Sequence, residues 1–449
     1  MGSRRALRPF FNLGAPPGNA DPNRSRRRLG ATPTVPSAAV VVLLLVAALA
    51  GCAGPGRLAA VPPTLEDKVS VLGTPNARFW ADTQGPAMVE EALQALARER
   101  AAAARGAAPG AASYLAVSGG ADDGAFGAGL LVGWTATGTR PSFRLVTGIS
   151  TGALIATFAF LGPAYDQQLQ TVYTTVGPDD IFVRRWPVTA VFNNDALADT
   201  APLFRLISRH IDQRMVDAIG REYRKGRLLL IGTTDLDAQR PVIWNVGAIA
   251  TSGRPEALDL IRHILLASVS IPGVFPPVMI DVDAGGRRYH EMNVDGGVFA
   301  QTFLIPPQVG TAISGAVQPP DRRRTAYVIR NARLHPDSAA VDRRLLSIAR
   351  RAVSTMTHFS GHDDLVRIYL TSRRDGIDYN LAYIGPDFTA EHRTDFDTAY
   401  MRALFVYGRA KALAGTAWRK APPILAQPDG AQQLDGYEGE AGADQEPQR

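Results

Sequence analysis

A single cysteine, Cys52, stands in 449 residues, so no disulfide can form within the chain. Long apolar runs are missing too. Residues 38–50 are 13 small and aliphatic side chains, short of the about 20 that a membrane-spanning helix needs. Charge excess is absent from most of the chain. Residues 1–51 hold seven of the 48 basic side chains and one of the 42 acidic ones, which leaves 41 of each sign beyond them. The net charge of +6 therefore belongs to the leader and gives no support to nucleic-acid binding. No metal motif is present. His358 and His362 are four apart, but no H-E-x-x-H and no third ligand accompany them. They read as a surface pair, and no cofactor is implied.

The leader has the layout of an export signal. A basic segment, "RSRRR", ends at Arg28, the apolar run follows, and "LAGC" closes it at Cys52. Small residues before a cysteine resemble the lipobox of bacterial lipoproteins, where the cysteine is acylated and becomes the new N-terminus. That resemblance implies a signal peptide over 1–51, lipidation at Cys52 and membrane attachment through it in the bacterial cell envelope. Ala53, not Asp, follows, which implies sorting to the outer membrane.

Beyond Cys52, "AGPGRLAAVPP" reads as a tether, and 87–106 as an Ala-rich helix ended by glycine. Together they make a segment over 52–112. From Tyr114 short apolar strands alternate with helical stretches. Strands are predicted at 114–118, 143–147, 228–233, 242–246, 326–330 and 366–371. Helices are predicted at 125–134, 153–160, 202–211, 256–267, 341–353 and 398–414. The alternation predicts an α/β domain over 113–420, with a largely parallel sheet between helical layers. Residues 421–449 are acidic and glycine-rich, and predict a disordered tail.

Three strings carry chemistry. "FRLVTGISTG" places Gly148 and Gly152 two residues either side of Ser150, between an apolar strand and an uncharged helix. That is the spacing of a nucleophile elbow, although a buried serine at a tight turn would read the same. "YLAVSGGADDG" lies upstream, a strand running into Gly119 and Gly120. Its helix N-terminus suits an oxyanion, and it lacks the Lys-Ser/Thr pair of a Walker loop. "MNVDGGVF" places Asp295 before two glycines at a strand end; a plain turn is the competing reading.

Together these strings resemble the patatin-like phospholipase family, as does "ASVSIPGVFPPV" at 267–278. The resemblance implies a three-layer α/β/α fold. It makes Ser150 the nucleophile and Asp295 its base. It implies an oxyanion hole of amides around Gly119, Gly120 and Ala121, with Gly124 closing the turn. The implied substrate is an acyl lipid or phospholipid, hydrolysed through an acyl-enzyme. The Pro-rich loop would fix the Asp295 strand against the Ser150 elbow and line a lipid-facing cleft. Two positions depart from the pattern. Ala121 replaces a third glycine, which is tolerable at negative φ. Asp123 replaces a basic residue, and is expected to point away and cap the helix that follows.

Two other readings compete. One is an α/β-hydrolase triad of Ser150, Asp295 and a later histidine, His335 or His392. The other is a lipid- or partner-binding protein without catalysis. "VDRRLLSIARRAV" reads as an amphipathic helix whose apolar stripe packs on the core, with a membrane-facing basic helix as the alternative.

Overall fold

The computed structural model describes residues 56–103, 110–184, 196, 198–304 and 322–425. The leader, Cys52 and residues 426–449 lie outside them. A nine-stranded sheet organises the described residues. Its strands are β1 (Arg78–Trp80), β2 (Ala112–Val117), β3 (Phe143–Ile149), β6 (Leu228–Asp235), β7 (Arg240–Asn245), β8 (Val278–Ala284), β9 (Arg287–Asp295), β10 (Arg324–Arg333) and β11 (Asp378–Ile384). A separate ribbon pairs β4 (Val183–Arg184) with β5 (Ala198–Asp199). The sheet runs β1-β7-β6-β3-β2-β10-β11, and β9 joins it through β6. The strands β6, β3, β2, β10 and β11 are parallel. The flanking pairings are antiparallel.

Helices of ten residues or more are α1 (Gly85–Ala102), α2 (Gly124–Ala136), α3 (Thr151–Leu161), α4 (Asp166–Thr175), α5 (Ala201–His210), α6 (Gln213–Arg224), α7 (Ala257–Ser268), α8 (Leu345–Arg374) and α9 (Thr398–Leu413). Every residue of β2 is buried, as expected for a parallel strand covered on both sides. Its side chains alternate between two cores. Leu115 and Val117 join Phe126 of α2, Ile155 of α3 and Leu404 of α9. Tyr114 and Ala116 join Met88 of α1 and Leu365 and Ile368 of α8. The result is a sheet between two helical layers.

Two register facts place the functional strings. The parallel pairing of β3 with β6 ends at Ile149 opposite Gly232. From Thr233 onward β6 pairs instead with β9, Thr233 facing Asp295. Because β7 occupies the other side of β6 along this length, β9 takes over the side that β3 vacates. Ser150 and Asp295 are thereby brought side by side from positions 145 residues apart.

Three expectations are corrected. Residues 78–80, inside the 52–112 segment expected to hold a tether and a helix, form β1 and pair with β7, and Phe79 and Trp80 are buried. The strand expected at 366–371 lies within α8. Its β-branched and aromatic residues suggest a strand, but burial recurs at Asp364, Leu365, Ile368 and Ser372, a helical period. The helix expected at 341–353 starts at Leu345 and continues for 30 residues. No helix among the described residues is long and apolar enough to cross a membrane.

Candidate active site

Ser150 follows the last residue of β3 and precedes α3. It holds φ 55°, ψ −133°, a conformation that L-residues enter at a cost of about 1–2 kcal/mol. The neighbouring glycines make the turn possible. A Cβ on Gly148 would run into the Gly152 carbonyl, and one on Gly152 into the carbonyls of Val117 and Ser118. The strained elbow is held by the end of α7. The Ser150 amide donates to Ser268 Oγ at 3.0 Å, and that hydroxyl donates to the Gly232 carbonyl at 2.8 Å.

Asp295 is the last residue of β9 and is buried. Its own amide donates to the Ser270 carbonyl at 2.9 Å. Its Oδ1 accepts from Gly297 N at 2.7 Å. Burial pushes its pKa up to about 7, against the opposing pull of the Gly297 amide and the Ser150 hydroxyl. Thus Ser268 holds the elbow and Ser270 holds Asp295, two residues apart on one segment. The contacts expected of the Pro-rich loop are thus made by the helix end that precedes its prolines.

The Gly-rich turn lies against the same serine. A Cβ on Gly119 would sit 3.1 Å from Ser150 Cβ. Two of the four expected oxyanion donors are nevertheless engaged elsewhere. The Gly119 amide donates to the Gln301 carbonyl at 3.0 Å. The Gly124 amide turns back to the carbonyls of Ala121 and Asp122. Among the described backbone hydrogen bonds, the amides of Gly120 and Ala121 have no acceptor. Ala121 adopts φ 49°, not the negative φ expected of an alanine there. Gly120, at φ 151°, packs so closely on Asn331 that a Cβ would strike its carbonyl.

Asp123 points away from Ser150, as expected, but does not cap the helix. Its Oδ1 accepts from Tyr400 OH at 2.5 Å, and burial raises its pKa to about 6. Asp122 beside it accepts at one oxygen, Oδ2, from both His392 Nε2 at 2.7 Å and the Phe396 amide at 2.8 Å. Asp397 caps α9 by accepting from Ala399 N and Tyr400 N, which sets the Tyr400 hydroxyl towards Asp123. The two acids therefore lash the Gly-rich turn to the segment entering α9.

Phe396 in turn walls a small cavity of about 50 Å³ that opens on Ser150 and Ala121. Its other walls are apolar, among them Leu154, Val172, Phe275 and Met401. Among the described residues no histidine hydrogen-bonds Ser150 or Asp295. His392 belongs to Asp122, and His335 lines a different cleft. His358 and His362 meet each other at 3.2 Å, with no metal-binding group of three around them among the described residues.

Sequence reasoning missed four supports: Ser268, Gln301, Asn331 and Asp364. Gln301 donates to Gly297 O at 2.8 Å while its carbonyl takes the Gly119 amide, so it bridges the two turns. Asp364 of α8 accepts the amides of Gln301 and Thr302. Asn331 bonds Ser118 through its amide and its side chain. None sits in a spacing that marks it; each is a small polar residue revealed only by burial.

Residues 115–305 match the family model described as patatin-like phospholipase. The chain carries a patatin-like phospholipase domain. The fold of the patatin-like domain is the mixed α/β arrangement above, with its mostly parallel sheet flanked by helices. The domain is accordingly one of lipid hydrolases. No curated protein matches the chain. A crystal structure of VipD from Legionella pneumophila is similar at TM-score 0.33 and 11% identity, covering 69% of this chain and 68% of that one. A likeness that loose carries no argument.

Proposed function

We propose that the protein is a lipid acyl hydrolase that works through a Ser150–Asp295 dyad and an acyl-enzyme. The single observation that carries this reading is a buried carboxylate, Asp295, set by the strand register beside a serine on a strained elbow. A carboxylate at its ordinary pKa is a weak base for an alcohol. Raised to about 7 it approaches the value that suits proton transfer at neutral pH.

In the first half-reaction Asp295 takes the hydroxyl proton as Ser150 Oγ bonds to the ester carbonyl carbon. The amides of Gly120 and Ala121, with the N-terminus of α3 behind Ser150, stabilise the oxyanion. The C–O bond to the alcohol then breaks, and Asp295 returns its proton to the departing oxygen. In the second half Asp295 takes a proton from water, the hydroxide oxygen bonds to the acyl carbon, and Ser150 leaves with that proton. The apolar cavity beside Ser150 receives the start of the acyl chain. Its size, about 50 Å³, is under two water volumes, so longer chains must displace a wall.

Attachment to the bacterial envelope through lipidated Cys52 belongs to this proposal as well, and would place the enzyme beside its lipid substrate. Product analysis after incubation with membrane lipid extracts tests the activity. Wild type releases fatty acid and Ser150→Ala does not; equal release by both would refute the dyad.

A further inference from the structure

The first half of α8 is built inside out. Leu345, Ile348, Ala352, Met356 and Phe359 recur at helical spacing on one side of it. That side faces solvent: Leu345 is 82% exposed, Met356 71% and Phe359 56%. Val353 and Ala349 widen the stripe and are exposed too. The opposite side, turned to the protein, carries the half-buried Ser347, Arg351, Thr357 and His358, and Arg351 donates to the Asp337 carbonyl. In the second half of the helix the apolar side turns inward, and Leu365 and Ile368 are buried. The expected packing of this stripe on the core is thus reversed.

A soluble protein leaves no such stripe bare without use. Charge selects the occupant. Residues 343–362 contain no acid, and Arg343, Arg344 and Arg350 are exposed, while Arg351 is turned to the protein. A second copy of the chain packed on the same face would bring like charges together. An anionic bilayer surface offers both an apolar layer and neutralising headgroups. We propose that residues 345–359 form an interfacial helix that lies on an anionic lipid surface, with the Leu345–Phe359 stripe sunk to the acyl boundary. Thr355 and Phe359 also line a cleft of about 650 Å³ together with Asp122 and Asp123. The proposal does not depend on the chemistry of Ser150.

A reporter on the helix tests it in the full chain. With Cys52→Ser and Met356→Cys, the only thiol is on the exposed stripe, and an environment-sensitive fluorophore is attached there. Leu345→Cys serves as a second position. Vesicles of phosphatidylcholine with phosphatidylglycerol should shift the emission to the blue and raise it severalfold. Pure phosphatidylcholine should do so less. Arg343→Gln and Arg344→Gln should each weaken partitioning by about fivefold. Emission unchanged by vesicles at both positions overturns the proposal. So does blue-shifted emission before vesicles are added: dependence on protein concentration would mean a second copy covers the stripe, and independence would mean the chain covers itself.

Discussion

The Asp295 amide donates to the Ser270 carbonyl at 2.9 Å, which ties the proposed base to the segment whose Ser268 hydroxyl receives the Ser150 amide. Nucleophile and base are thus referenced to one short piece of backbone at the C-terminal end of α7. Their separation does not depend on the long chain between them.

That arrangement makes Ser268 testable. Ser268→Ala removes the acceptor of a buried amide and the donor to Gly232. It should cost about 1–3 kcal/mol of stability, read by urea unfolding. It should also slow turnover on a soluble acyl ester with little change in KM, because the elbow loses its anchor. Full turnover with unchanged stability would show that Ser268 holds nothing.

The pH profile follows from Asp295. Its pKa is raised in the fold from 3.8 to about 7, so the active, ionised form is lost as pH falls through 7. The kcat/KM should rise about tenfold per unit up to that point and then level. Stability moves the other way. A group whose folded pKa is raised binds protons better folded than unfolded, so it weakens the fold as pH rises from about 4 to 7. Asp295→Asn should therefore lose activity, yet match or exceed the wild-type Tm at pH 8, with the difference shrinking by pH 5. An activity profile flat from pH 5 to 8 would contradict this.

Phe396 walls the cavity beside Ser150, and its amide is held by Asp122. Phe396→Ala should admit roughly two further methylenes, each worth about 0.8 kcal/mol. The ratio of kcat/KM for octanoyl over butyryl esters should rise roughly tenfold. His392→Ala, which removes the exposed partner of Asp122, should shift the ratio in the same direction by less. An unchanged ratio in both variants would place the acyl chain elsewhere.

Part of this site was legible in the chain because local sterics write themselves into residue type. Gly148 and Gly152 are glycines because carbonyls occupy the space of a Cβ, and apolar runs such as 143–149 lie in buried parallel strands. Other features are decided by distant packing. Asp123 looked like a helix cap, and Tyr400, 277 residues away, claims its carboxylate. The resemblance gives the Gly119 amide to the oxyanion hole, but the Gln301 carbonyl accepts it, while Gly124 closes the turn by donating to Ala121 and Asp122. The α8 stripe has the period of a core-facing helix, and no period tells which side the core is on. Nothing in the residues around Ser268 marks it, and only its burial and its hydrogen bonds at the end of α7 show its task.

The central claim is that Ser150 is activated by Asp295. Phosphonylation by a fluorophosphonate, followed by intact mass and peptide mapping, tests it most directly. One adduct is expected, on the peptide containing Ser150, forming at least about 100-fold more slowly in Asp295→Asn. An adduct on another residue, or an equal rate in the Asn variant, would contradict it.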